Sequence, residues 1–169
     1  DIDKFSAKLM ITTSVKKEIF QGLNNEEYKL EKGFLTIKDN EHIQCLAGIL
    51  GSKNSMVTKK TKKVLIESAF FNPKSIINRA RSLKLQTESS YRFERGVDFL
   101  LPNLALDKFV NYIKDTDIKI LERKSLGKNS SLPKNKKLNI NLEAINSAIG
   151  TNLSKNEIYK IFLNLGCTI

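Results

Sequence analysis

Few side chains in the sequence have chemical reach, and Glu67 is the first of them. It lies in "VLIESAFF" (Val64 to Phe71), a run that looks apolar on both faces. A carboxylate in such a run is either paired or neutralised inside the protein, or turned at a strand edge toward water or an arginine. "AGILGS" brings Gly48 and Gly51 to the end of an apolar stretch. Glycines there let a ligand approach the backbone closely, or they serve a bulge or turn. The spacing is neither a GxGxxG nor a phosphate loop. "LQTESSYRFERGVD" (Leu85 to Asp98) adds the hydroxyls of Thr87, Ser89 and Ser90. No histidine or lysine is placed to activate them as nucleophiles, so helix capping competes with substrate contact. His42 is the single histidine, and it falls in a polar turn. With Cys45 and Cys167 it cannot supply the four ligands of a structural zinc site.

The elements that would position these residues come from a chain of 169 residues, enough for one domain or one plus a small second. Its 40% hydrophobic content suits a chain able to bury about two thirds of its unfolded surface. The net charge of +11, from 29 basic and 18 acidic residues, favours a polyanionic partner such as RNA or DNA. Only five of the basic residues are arginine. Lys59, Lys60, Lys62 and Lys63, and the cluster Lys134, Lys136 and Lys137, read as solvated loop charges or as phosphate contacts. Two cysteines make no disulfide framework and fit a reducing cytosol. No apolar run approaches the roughly 20 residues of a membrane helix. The chain opens without Met and is expected to be a piece of something longer.

Strands are predicted at Leu9 to Val15, Gly33 to Asp39, Ile43 to Gly51 and Val64 to Phe71, the last two buried on both faces. Asn72 and Pro73 open a helix with Ile76, Ile77, Ala80 and Leu83 on one stripe. Ser89 or Ser90 is expected to cap a short helix ended by Gly96, with Phe93 buried and Arg92, Glu94, Arg95 and Asp98 in ion pairs. A longer helix following Pro102 turns Leu106, Phe109, Val110 and Ile113 inward, and Asp117 to Gly127 reads as an edge-like strand. Residues 128–137 have linker composition. Beyond them, Leu138 to Ile140 reads as a strand. Asn141 caps a helix stopped by Gly150, and Ser154 with Glu157 forms a capping box for another that ends near Gly166.

From Gly33 through Asp98 the motifs "LAGILG", "VLIESAFFNPKSI", "RARSLKLQTESS" and "YRFERGVD" occur in an order and spacing that resembles the editing domain of the phenylalanine–tRNA ligase beta subunit. The tail from Leu138 resembles the small winged-helix-like module that follows it. The resemblance implies an α+β fold: a mixed β-sheet editing domain with helices packed on it, then a small winged-helix-like α/β module. Residues 1–127 would be the C-terminal part of the editing domain, 128–137 a linker and 138–169 the start of the next domain. A "PLHAF"-like motif and a site histidine would lie before Asp1.

The same resemblance implies a cytoplasmic heterotetramer of two alpha and two beta subunits that charges the phenylalanine tRNA. Aminoacylation, with ATP and magnesium, would reside in the alpha subunit, with no cofactor in this segment and no membrane partner. The editing domain would hydrolyse tyrosine wrongly attached to that tRNA. Glu67 matches the family's glutamate that reads the tyrosine hydroxyl, Gly48 and Gly51 its pocket glycines, and Thr87 its pocket threonine. Ser89 stands where the family has alanine. Physical chemistry agrees with such a division of labour. An apolar synthetic pocket cannot strongly reject an isostere that merely adds a hydroxyl, so a second sieve is needed. A buried acceptor reverses the preference, because phenylalanine leaves it unpaired at a cost of roughly 1–3 kcal/mol or more. The ester is already reactive, so a well-placed water suffices without a protein base. The alternative is a structural, tRNA-contacting module with an inactive editing site.

Overall fold

The computed structural model describes residues 1–6, 8–127, 132–133 and 136–169. Most of the expected linker, including Lys134, lies outside the described residues. The chain divides into two compact units, Asp1–Leu126 and Gly127–Ile169.

The first unit is α+β. Four strands form one antiparallel sheet in the order β1–β4–β5–β6: β1 (Met10–Thr13), β4 (Leu35–Lys38), β5 (Ile43–Leu46) and β6 (Leu50–Gly51). A separate hairpin pairs β2 (Glu18–Gln21) with β3 (Glu27–Leu30). Period-two burial defines the hairpin: Tyr28 and Leu30 face in while Glu27 and Lys29 face out. Phe20 pairs across the ladder with Tyr28, the rings 6.3 Å apart. A single bridge from Gly22 to Ser52 ties the hairpin to the end of β6. Phe20, Leu30, Leu46 and Ile76 are the large side chains shut away from solvent, with Phe34, Ile49, Phe71 and Ala80 packed in the same core.

Several predicted elements take another form. "IQCLAGILG" is not one strand. It folds back at Ala47–Ile49, where Gly48 adopts φ +67° and the Ile49 N–H donates to the Leu46 carbonyl at 2.9 Å. "VLIESAFF" forms no strand, because no described segment pairs with its backbone. Val64, Leu65 and Ile66 are exposed, and of the run only Phe71 is buried. High β propensity does not make a strand without a ladder partner. The helix at Asn72 is capped as expected, Asn72 Oδ1 accepting from the Lys74 N–H, but it is split into α1 (Pro73–Ile76) and α2 (Arg79–Ser82). Asn78 sits at φ +61° between them, and the break turns Ile77 out to solvent. α3 (Glu88–Phe93) follows. α4 (Leu101–Ile113) half-buries Leu106, Val110 and Ile113 but leaves Phe109 exposed. Residues 117–127 form no strand. Arg123 instead reaches back to Asp107 of α4 at 2.6 Å.

The second unit holds α5 (Leu142–Ile149) and α6 (Lys155–Asn164). Asn141 caps α5, accepting from the Glu143 and Ala144 N–H groups, and Gly150 ends it at φ +68°. Ser154 and Glu157 form the capping box of α6, and Gly166 follows it at φ +81°. Asn146 organises the turn between them: its Oδ1 accepts from the Leu153 N–H and the Thr151 hydroxyl, and its Nδ2 donates to the Leu153 carbonyl. Leu138 and Ile140 are exposed and form no strand, since no described segment pairs with them.

Candidate functional site

Three separate segments of the first unit converge on a cleft of about 460 Å³. The β5–β6 hairpin supplies Cys45 and the backbone from Gly48 to Gly51. The unpaired stretch supplies Glu67 to Ala69 and Phe71. α3 supplies its N-cap Thr87, Ser89 in its first turn and Phe93 at its last residue. All five residues singled out in the sequence (Gly48, Gly51, Glu67, Thr87 and Ser89) therefore line one cavity. Its size falls in the range of small-molecule sites. Glu67 is the single charged residue in the lining.

Glu67 keeps more than a third of its surface open, yet the crowding around its carboxyl raises its pKa above the ordinary value. No described residue donates a hydrogen bond to it, so it faces the cleft as an uncommitted acceptor. Cys45 lies beside it. Burial first, and the Glu67 charge second, push the thiol up to about 12. At neutral pH it is a thiol wall rather than a nucleophile.

Thr87 is committed to structure. Its hydroxyl donates to the Ile49 carbonyl at 2.8 Å and accepts from the Ser90 N–H at 3.0 Å. Thr87 is thus the cap of α3, and Ser90 completes the capping box by accepting from the Thr87 N–H. The expectation that Ser89 or Ser90 caps this helix is corrected: the cap lies earlier, which leaves the Ser89 side chain in the cleft with no hydrogen-bond partner among the described residues. The Thr87–Ile49 bond couples the helix to the hairpin across the cavity. Thr87→Val should lower stability by about 1–2 kcal/mol, read by urea denaturation, while Thr87→Ser should recover most of it.

The glycines serve packing. A Cβ on Gly48 would lie 3.1 Å from Phe71 and 3.2 Å from Phe93, two rings that meet at 5.1 Å and form a wall of the cleft. A Cβ on Gly51 would meet Leu23 at 2.9 Å. Beyond Ser90, Arg92 pairs with Glu88, and Glu94 pairs with Arg95 and Arg81. Asp98 departs from the expected ion pairs: its carboxylate accepts from the Leu100 N–H at 2.9 Å and so closes a turn. Phe93 is half-buried rather than buried, since one side of its ring borders the cleft. Sequence reasoning missed Cys45, Phe71 and Phe93 as walls, because nothing in their spacing marks them.

A larger cleft of about 910 Å³ lies against β2 and the β4–β5 turn, lined in part by Lys16, Lys38, Glu18 and Asp39, and none of the five residues borders it. Its opposite charges neutralise one another, as in the Lys38–Glu18 pair at 3.2 Å. Among the described residues no group of histidine, cysteine and acidic side chains is placed to hold a metal, and no helix is long and apolar enough to cross a membrane.

The family model of the B3/4 domain matches residues 1–117, which include every segment of the cleft. The chain belongs to the B3/4 domain family. Among its relatives, the phenylalanine–tRNA ligase beta subunit of Acinetobacter baylyi is 31% identical over 175 residues, covering 100% of this chain and 21% of the relative. The beta subunit of Fusobacterium nucleatum is 30% identical over 98% of this chain and 21% of its own length. That of Wolbachia sp. subsp. Brugia malayi is 43% identical over 63% of this chain and 13% of its own length. The chain spans about one fifth of the length of the first two relatives. The cleft is therefore a feature of a B3/4 domain.

Proposed function

We propose that this chain is the segment of a phenylalanine–tRNA ligase beta subunit that removes tyrosine from wrongly charged phenylalanine tRNA. The observation that carries this reading is the lone carboxylate of Glu67 in an otherwise uncharged cleft. A tyrosine side chain entering between the Phe71–Phe93 wall and the β5–β6 hairpin donates its hydroxyl to Glu67. Phenylalanine leaves that acceptor unpaired and loses the corresponding free energy. The Ser89 hydroxyl, which the family's alanine lacks, offers a second polar contact. Water adds to the ester carbonyl, the bond to the terminal ribose oxygen breaks, that oxygen leaves as a hydroxyl with its proton, and tyrosine departs. The cleft contributes positioning, with no nucleophile of its own. Thr87, Gly48 and Gly51 hold its shape.

In this reading residues 1–127 are the C-terminal part of the editing domain, and 138–169 begin a winged-helix-like domain. The partners are the phenylalanine tRNA and the alpha subunit, in a cytoplasmic enzyme of two alpha and two beta subunits. The alpha subunit carries the ATP and magnesium of aminoacylation. The test is deacylation by the full-length enzyme. Glu67→Ala should slow the clearance of tyrosyl-tRNA by about 10–100-fold and reduce the preference for tyrosyl over phenylalanyl ester, the size expected for the loss of one hydrogen bond to a charged group. If wild-type enzyme clears tyrosyl-tRNA no faster than buffer, the cleft belongs to an inactive, tRNA-contacting module. A Glu67→Ala enzyme with unchanged rate and preference removes Glu67 from its assigned role.

A further inference from the structure

The loop from Ser52 to Lys63 holds Lys53, Lys59, Lys60, Lys62 and Lys63 and no acidic residue. All five lysines are exposed, and among the described residues no carboxylate lies in ion-pair range of Lys53, Lys59, Lys60 or Lys62. The loop is not loosely tethered. Ile2 donates its N–H to the Lys63 carbonyl at 3.2 Å, Lys4 Nζ donates to the Met56 carbonyl at 2.8 Å, and the Thr61 hydroxyl donates to Asp1 Oδ2 at 2.8 Å. Thr58 and Thr61 close a turn within it, the Thr61 N–H donating to the Thr58 carbonyl at 3.0 Å. The acids that touch the loop, Asp1 and Asp3, both lie on its Ile2–Lys4 side.

The chain on either side of this loop lines the cleft. Gly51 leads into it, and Glu67 lies four residues beyond its exit. Chain length alone keeps Lys53 within about 7 Å of Gly51, and Lys63, Lys62, Lys60 and Lys59 within about 14, 18, 25 and 29 Å of Glu67. At about 3.4 Å of axial rise per nucleotide in one strand, those upper limits correspond to about two to eight terminal nucleotides. We propose that the Ser52–Lys63 loop is an RNA-backbone collar whose lysines bind the phosphates next to the 3′ end entering the cleft. This inference rests on the editing reading for the identity of the RNA, but the loop's affinity is measurable without any editing. The arrangement separates two tasks: the cleft reads the amino acid, and the loop holds the strand through contacts blind to sequence.

The test is binding of uncharged phenylalanine tRNA to the full-length enzyme across a salt series, with the triple variant Lys59→Glu, Lys60→Glu, Lys62→Glu. At about 50 mM salt the variant should bind at least tenfold more weakly, and its log K against log salt slope should be shallower by about 2–3. The neutral triple variant Lys59→Ser, Lys60→Ser, Lys62→Ser should move both quantities in the same direction, and it guards against a folding defect from introduced acid. In tyrosyl-tRNA deacylation, kcat/KM should fall while kcat is retained. Unchanged affinity and slope in both variants overturn the collar, whatever Glu67→Ala does. Loss of deacylation in Glu67→Ala with the collar's salt slope intact sustains the collar and confines that defect to the cleft. Binding to anionic phospholipid vesicles that depends on these lysines, with tRNA binding unaffected, also overturns the proposal.

Discussion

Asp39→Ala is expected to lower the melting temperature of the Asp1–Leu126 unit by about 10 °C, corresponding to about 3 kcal/mol. Asp39 is buried, and four donors converge on its carboxylate. Oδ1 accepts from the Glu41 N–H at 2.9 Å and the His42 N–H at 2.8 Å; Oδ2 accepts from the Ser6 N–H at 3.0 Å and Gln44 Nε2 at 2.8 Å. Alanine orphans all four donors. An asparagine side chain would satisfy one pair and present its own NH₂ to the other, so Asp39→Asn should also destabilise, by less. Burial by itself would raise the Asp39 pKa, but these hydrogen bonds hold it well below the ordinary value near 4. The folded pKa is depressed, so the stabilisation is fully present above about pH 4 and is lost as pH falls from there toward the folded value. Calorimetry between pH 2.5 and 6 should show the wild-type melting temperature falling with acid, and the gap to Asp39→Ala narrowing. A constant gap would remove the carboxylate from its assigned role.

The second large effect is expected at Gly48. Gly48 and Gly150 have nearly the same φ, +67° and +68°, but different surroundings. A Cβ on Gly150 meets open space, whereas one on Gly48 meets Phe71 and Phe93. Gly150→Ala therefore carries only the left-handed strain, about 1 kcal/mol. Gly48→Ala carries that strain plus overpacking, together about 3 kcal/mol. Urea denaturation of each variant gives the difference between them as the packing contribution. Because the same rings wall the cleft, the proposed editing function implies that Gly48→Ala also reduces tyrosyl-ester clearance, even where the protein remains folded. Equal losses at the two glycines would mean that the rings yield freely and do not define the cavity.

The parts of the fold legible in the sequence are those decided by neighbours along the chain. Asn72, Asn141 and the Ser154–Glu157 pair cap their helices because a side chain reaches backbone N–H groups two or three residues on, whatever the rest of the protein does. Gly150 ends its helix for a similarly local reason. The β2–β3 hairpin escapes sequence reasoning although "EYKL" carries the period-two signal, because the segment is charged and its anchors Phe20 and Tyr28 come from different strands. Val64 to Phe71 misleads in the opposite direction. Its composition is that of a strand, and composition cannot say whether a ladder partner is present.

The candidate site divides along the same line. Residue identities alone single out Glu67, Gly48 and Gly51, because a carboxylate among apolar residues and paired glycines are visible without coordinates, and the resemblance to the ligase beta subunit adds Thr87 and Ser89. Only the tertiary structure decided that three distant segments enclose one cleft, that the Thr87 hydroxyl is consumed by the Ile49 carbonyl while Ser89 is left uncommitted, and that Gly48 answers to two aromatic rings. Those facts depend on which groups meet through space, and hydrogen bonds and van der Waals contacts act over a few ångströms, with no regard to separation along the chain.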